Sequence, residues 1–147
     1  MKYTISLISI GLLVTAACSN FNNDNGEIDR LRDEAIAVHD EIMPQISAFD
    51  RNTVKIDSIL ASLPQLQEAQ PDIDTAQTRK DLSGLKDRLE LATDSMMNWM
   101  TAFDIDPQDK SAAEIKAYYE GEVGKVKEMK QLFDGVSKEA TDKLAKF

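Results

Sequence analysis

The sequence predicts an all-α fold, an antiparallel bundle of three long helices. From Ile28 onward, apolar residues recur at alternating intervals of three and four, which is the spacing of one face of an α-helix. No segment shows sustained alternation of apolar and polar residues, and no Asn-Gly or Asp-Gly hairpin joins β-branched runs, so strands are not expected. Prolines and capping residues divide the helical pattern into three parts.

The chain begins with the pattern of an export signal. Met1-Lys2 is cationic, and the apolar run from Ile5 to Ala17 ends in small residues directly before Cys18. Such a run is too short to cross a hydrocarbon core of about 30 Å at about 1.5 Å per residue. We therefore interpret residues 1–17 as a removable signal peptide and expect no transmembrane helix in the mature protein.

The stretch Val14-Thr15-Ala16-Ala17-Cys18 resembles the lipobox of bacterial lipoproteins, although the family usually has leucine at the position of Thr15. The resemblance implies that the thiol of Cys18 carries a diacylglyceryl group and that Cys18 is the first mature residue. Cys18 is the only cysteine, so it has no disulfide partner within the chain. The alternative is an ordinary secretory signal followed by a chance cysteine.

Residues 19–26 are polar and turn-forming, and we predict a flexible tether there between the lipid and a folded domain at residues 27–147. Two or three acyl chains on one residue hold a protein stably on a bilayer. The expected partner of Cys18 is therefore a membrane.

The first predicted helix contains an irregularity near Pro44. Its apolar seam runs through Ile28, Leu31, Ala35, Val38 and Ile42 and then continues at Ile46, Phe49, Thr53, Ile56, Leu60 and Leu63. Two intervals of four follow each other there, which is a stutter in the heptad. Pro44 has no backbone N–H and crowds the carbonyl of Asp40, so a kink or break is expected. Pro64 and Pro71 are predicted to end the helix.

The second and third helices are predicted from caps and seams. Asp72 or Asp74 is expected to cap the second helix, whose seam is Leu82, Leu85, Leu89, Ala92, Met96, Trp99 and Phe103. Ser111 and Glu114 have the spacing of a capping box for the third helix. Its seam is Ile115, Tyr119, Val126, Met129, Phe133, Val136 and Ala140.

The mature chain is acidic. Removal of the 17-residue signal leaves 130 of the 147 residues, the size of one domain, with 16 basic and 26 acidic side chains. This surface repels nucleic acid and anionic lipid headgroups. The first and second helical regions each carry eight acids and four bases, whereas residues 107–147 carry eight of each. The favoured interpretation is a solvated outer face with weak ion pairs, and the alternative is that the third helix supplies positive partners to the other two.

The sequence offers no constellation for catalysis. It has one histidine, no free cysteine once Cys18 is acylated, and no glycine-rich phosphate loop. Carboxylates are abundant, but they fall on mixed-charge helix faces where solvation keeps their pKa values ordinary. We expect no enzymatic activity.

Soft side chains form one cluster that could have a chemical role. His39 and Met43 lie four apart on the first helix, and antiparallel pairing brings them near the methionines at 96, 97 and 100 around Trp99. Thioether and imidazole groups suit Cu(I) or an axially ligated haem, so a small metal- or haem-binding bundle is the alternative function. The favoured interpretation is that methionines fill irregular gaps, and no cofactor or metal is predicted.

Two short stretches carry a family resemblance. They are His39-Asp40-Glu41-Ile42-Met43-Pro44 and Met96-Met97-Asn98-Trp99-Met100, the latter followed by Phe103. With these stretches the chain resembles a group of small helical lipoproteins of the Bacteroidota, some labelled viral A-type inclusion protein-like, over the mature chain from about Ile28 onward. No activity is established for that group, so no site residue is carried over. The resemblance implies placement at a Gram-negative outer membrane.

Six apolar residues fall outside the three seams, toward the end of the bundle where the first helix begins: Ile36, Met43, Met97, Met100, Tyr118 and Val123. They are the candidate surface for a protein partner or for self-association. The alternative is a thicker core at that end, capped by the loop around Ile105. The expected function is that of a lipid-anchored, non-enzymatic interaction or structural module of the cell envelope, with its domain in the periplasm or at the cell surface.

Overall fold

The fold is all-α, as predicted. The computed structural model describes residues 19–147, with side-chain surroundings from residue 25 onward, and no strand occurs in this part of the chain. The helices are α1 (Ser19–Ala61), α2 (Leu63–Ala69), α3 (Thr75–Ala102) and α4 (Ala112–Leu144). None of these helices is apolar over a length that would cross a bilayer. The predicted signal peptide and Cys18 lie outside the described residues.

Helix α1 is continuous through Pro44, so the predicted break is wrong. Pro44 is exposed, while Ile42 and Phe49 on either side of it are buried. A proline removes one backbone hydrogen bond, and burial of apolar side chains before and after it holds the two halves in one helix. The shift of the seam is confirmed, because partly buried Ile46 packs against the core between these two residues.

Helix α1 includes residues 19–26, the segment where composition predicts a flexible tether. Once a helix is formed, each added residue gains one backbone hydrogen bond for the conformational freedom it loses.

Helix α2 is a short helix that the sequence pattern did not predict. Pro64 stands in its first turn, where a missing N–H costs nothing. Leu63 is buried and attaches the segment to the domain. The chain therefore leaves helical geometry between Ala69 and Thr75, close to the predicted stop at Pro71.

Both predicted helix starts are confirmed. The backbone N–H of Gln77 donates to Oδ1 of Asp74 at 2.9 Å at the start of α3. At the start of α4, the N–H of Ser111 donates to the Glu114 carboxylate at 2.8 Å, and the N–H of Glu114 donates to the Ser111 hydroxyl, which completes the capping box.

One apolar core joins α1, α3 and α4, and it contains most of the predicted seam residues. Cross-helix contacts give the order of pairing. Lys127 of α4 pairs with Glu34, and Lys55 of α1 donates to the carbonyl of Leu144 at 3.0 Å, so residue numbers rise together along α1 and α4.

Residue numbers fall along α3 as they rise along its neighbours. Lys86 pairs with Asp57 of α1 at 2.7 Å, whereas Trp99, further along α3, lies against His39, which comes earlier in α1. The three long helices therefore meet in a fixed register.

Lysines of α4 contact carboxylates of the other two helices, in line with the alternative interpretation of the charge distribution. Lys130 lies 3.9 Å from Glu41 of α1, and Lys143 lies 3.9 Å from Asp81 of α3. These pairs are at least partly exposed to water, and each contributes about 0 to 1 kcal/mol.

Glu122 of α4 is the one charged residue buried among those described, with 6% of its surface exposed. The indole N–H of Trp99 donates to its Oε2 at 2.7 Å, and the Lys125 ammonium donates to Oε1 at 2.7 Å. The predicted third seam omitted Glu122, although it lies three positions after Tyr119 on the same helical face. The carboxylate ties α3 to α4 within the core.

Replacement of Glu122 by alanine should lower the free energy of unfolding by about 2 kcal/mol, because the buried indole N–H of Trp99 loses its acceptor. Glu122→Gln should cost less, since the amide oxygen can still accept. Urea denaturation followed by the emission of Trp99, the only tryptophan, measures both. Exposed Glu128 on the same helix is the control, and Glu128→Ala should change stability by less than about 0.5 kcal/mol. Equal effects at 122 and 128 would contradict the expectation.

Candidate functional site

Aromatic side chains gather where the end of α3 meets α1 and the beginning of α4. The ring of Trp99 lies 5.7 Å from that of His39 and 4.7 Å from that of Phe103, measured between centroids. Phe103 continues the series to Tyr118 at 6.4 Å and to Tyr119 at 6.0 Å. The cluster makes this end of the domain rich in aromatic side chains.

Two tyrosines of α4 hold the loop between α3 and α4 against this cluster. The N–H of Asp104 donates to the Tyr118 hydroxyl at 2.7 Å, and the Tyr119 hydroxyl donates to the carbonyl of Ile105 at 2.8 Å. Burial raises the pKa of both tyrosines, so the hydroxyls stay protonated and can hold these bonds at neutral pH. Ile105 is thereby fixed with its side chain exposed.

A shallow groove of about 260 Å³ opens between α1, the end of α3 and this loop. Its floor is mostly apolar and aromatic, and its lining consists of Ile36, His39, Asp40, Trp99, Met100, Phe103 and Ile105. The groove brings together two residues of the predicted surface, Ile36 and Met100, and adds the loop residue that the sequence proposed as a cap.

Exposure divides the six residues of the predicted surface. Met97 and Met100 have 49% and 40% of their surfaces exposed, and Ile36 is partly buried in the groove. Met43 and Tyr118 are partly buried and pack against the core. The thicker core and the exposed surface therefore both describe part of this end.

Val123 must be removed from the candidate surface, because only 7% of it is exposed. It lies four residues after Tyr119 and three before Val126, on the face of α4 that enters the core. The predicted seam skipped this turn, which made Val123 look like an additional residue outside the core.

The soft side chains are neighbours in part. His39 lies against Trp99, as expected, and its Nδ1 is 2.9 Å from Oδ1 of Asp40. Met96 is fully buried in the core, where it fills space, and Met43 is partly buried. Across residues 19–147, no group of three or more His, Cys, Asp or Glu side chains is arranged to hold a metal ion.

A second hollow of about 300 Å³ lies further along the same side of α1 and α3, and the sequence did not predict it. It contains exposed Val54 and three carboxylates, and its lining is Asp50, Thr53, Val54, Leu89, Glu90, Thr93 and Asp94. The available signal was Val54, an apolar residue outside the seam of the first helix.

Comparison of the chain with models of protein families, with curated proteins and with solved structures finds no match.

The exposure of the methionines can be tested by their effect on stability. Met97→Gln combined with Met100→Gln should change the free energy of unfolding by less than about 1 kcal/mol, since both side chains already contact water. The matched variant Met96→Gln should lower it by about 3 kcal/mol, because it buries an amide in the core. Urea denaturation measures both, and a double variant as unstable as the single core variant would contradict this placement.

Proposed function

We propose that the chain is a membrane-anchored bacterial lipoprotein whose three long helices form an antiparallel bundle and act as a non-enzymatic interaction or structural module of the cell envelope. The anchor is a lipid on Cys18, left after removal of residues 1–17. The placement proposed is the outer membrane, with the domain in the periplasm or at the cell surface.

The observation that carries an interaction role is the exposed methionine pair, Met97 and Met100, beside a groove lined with aromatic side chains. Monomeric domains rarely leave contiguous apolar surface larger than a few hundred Å² in contact with water unless it binds something. Methionine is flexible and polarizable, so it fits partner surfaces of varied shape.

The titratable groups support a binding role rather than catalysis. Several carboxylates have pKa values lowered by hydrogen bonds within ion pairs, such as the bond from Lys127 that lowers the pKa of Glu34 and the bond from Arg88 that lowers the pKa of Glu139. Both shifts keep the carboxylates charged at neutral pH, which suits a charged surface and not proton transfer.

The anchor is tested by Cys18→Ser in the full chain. The variant should leave the membrane fraction, because the proposed lipid is lost, and the crosslinked species larger than one chain that native cells yield should be lost with it. Immunoblots of washed membranes and of crosslinked cells measure both.

Thr15→Leu is the control, since it moves the stretch before Cys18 closer to the lipobox and should leave the protein in membranes. Retention of the serine variant in washed membranes would reject the anchor. Native cells without any crosslinked species would reject the interaction role.

One observation favours a second function, the binding of Cu(I) or haem. His39 reaches from α1 to Trp99 of α3, which places its imidazole beside the methionine-containing turns around that residue. With Met43 as the second ligand, competition against a Cu(I) chelator should give an affinity that His39→Ala and Met43→Leu each reduce at least tenfold. Absence of Cu(I) binding by the native chain removes this candidate.

A further inference from the structure

The side of the domain formed jointly by α1 and α3 combines exposed apolar side chains with carboxylates along most of its length. We infer that this α1–α3 face, defined by the two hollows and the exposed residues Met97 and Met100, binds an amphipathic helix of a partner protein whose polar side is basic. The inference rests on the proposed interaction role and names the surface and the chemistry of the partner.

The apolar part of the α1–α3 face is long enough to contact a partner helix over several turns. On α1, Ile36, Met43 and Val54 follow at intervals that keep them on one side of the helix, and Val54 has 70% of its surface exposed. Ile36 and Val54 are 18 positions apart, which corresponds to about 27 Å at a rise of 1.5 Å per residue. Met97 and Met100 face this row from α3, and a helix of about five turns fits between the two rows.

The negative charge of the α1–α3 face favours a partner with positive charge. Asp40 lines the first hollow, and Asp50, Glu90 and Asp94 line the second. Among the ion pairs of the described residues, none involves Asp50 or Asp94. Lysine or arginine on a partner helix would supply the missing positive charge while its apolar side covers the methionines.

Lysines of the chain itself neutralise a different side. Glu34 and Glu41 of α1 face α4 and lie near Lys127 and Lys130. On the α1–α3 face, Lys86 pairs with Asp57 at 2.7 Å and lies 3.8 Å from Glu90, so it leaves Asp50 and Asp94 without a positive partner.

Like charge disfavours a second copy of the chain as the occupant. In a two-fold dimer, each face meets the same face of its partner, so carboxylates would meet carboxylates across the interface. Such contacts oppose association of two copies. The negative charge of the face also opposes binding of nucleic acid or an anionic membrane. A basic helix is the occupant that satisfies both the apolar and the acidic groups.

The first test uses a fluorescent helical peptide of leucine and lysine, about 18 residues long, and the same peptide with glutamate in place of lysine. Anisotropy is measured with the full chain in non-ionic detergent. The lysine peptide should bind at least tenfold more tightly than the glutamate peptide, and a rise in salt from about 50 mM to about 500 mM should weaken it several-fold. Equal binding of the two peptides would overturn the inference.

Paired variants locate the peptide on the α1–α3 face. Asp50→Asn with Asp94→Asn should weaken the lysine peptide about tenfold. Glu128→Gln with Asp142→Asn changes the net charge of the chain equally on α4 and should leave affinity within about twofold. Equal loss from both pairs would show that only overall charge matters and would overturn the inference.

The apolar contacts have a matched test on α3. Met97→Gln with Met100→Gln should weaken the lysine peptide about tenfold, whereas Leu91→Gln, at an exposed residue on another side of the helix, should leave it within about twofold. Loss that is as large at 91 as at the methionines would contradict the proposed surface.

Photocrosslinking in intact cells separates this inference from the proposed function. A photoreactive residue at position 54 or 97 should capture another protein through a segment with helical apolar spacing and net positive charge, at several-fold higher yield than at position 91 or 138. Capture of another protein only from 91 or 138, of an acidic segment, or of a second copy would overturn the inference and leave the interaction role standing. Absence of capture at all four positions would overturn both.

Discussion

Trp99 holds together the end of the domain where α1, α3 and α4 meet. Its indole N–H needs an acceptor because it is buried, and Glu122 of α4 supplies one at 2.7 Å. Its ring lies against His39 of α1 and against Phe103 at the end of α3. If either neighbouring helix shifted along its axis, a buried donor or a buried carboxylate would lose its hydrogen-bond partner. These contacts therefore hold the three helices in one register. That register determines which side chains of α1 lie opposite Met97 and Met100 of α3.

Interactions within a few residues explain why so much of the fold could be predicted from the sequence. The caps at Asp74 and Ser111 involve groups three residues apart, and both form as expected. The seam of α3 repeats every three or four residues without interruption, and its members from Leu82 to Trp99 are buried. A helical period identifies the inward face wherever one face is buried and the opposite face is wet.

Features that depend on contacts between helices could not be predicted, because a local sequence pattern does not contain those contacts. Continuity of α1 through Pro44 depends on packing before and after the proline, which the local rule for proline does not contain. Burial of Glu122 depends on a partner 23 residues away. Val123 looked like a surface residue because glycines on either side of this turn weakened the pattern. For the site, the sequence located Met97 and Met100 but not the acidic hollow around Val54, since its open side is set by how α1 and α3 pack.

The lysines of α4 pair with carboxylates on one side of the domain and leave the α1–α3 face acidic. Residues 107–147 contain as many bases as acids, and several of these lysines contact carboxylates at the edges of α4. The remaining acid excess falls on α1 and α3, beside apolar side chains that the core does not cover. In the binding that we propose, acids and methionines have different roles: carboxylates favour a positively charged partner and speed its approach, whereas methionines adapt to its shape. A face with both properties distinguishes partners by charge before close contact, and then accepts several side-chain arrangements within that class.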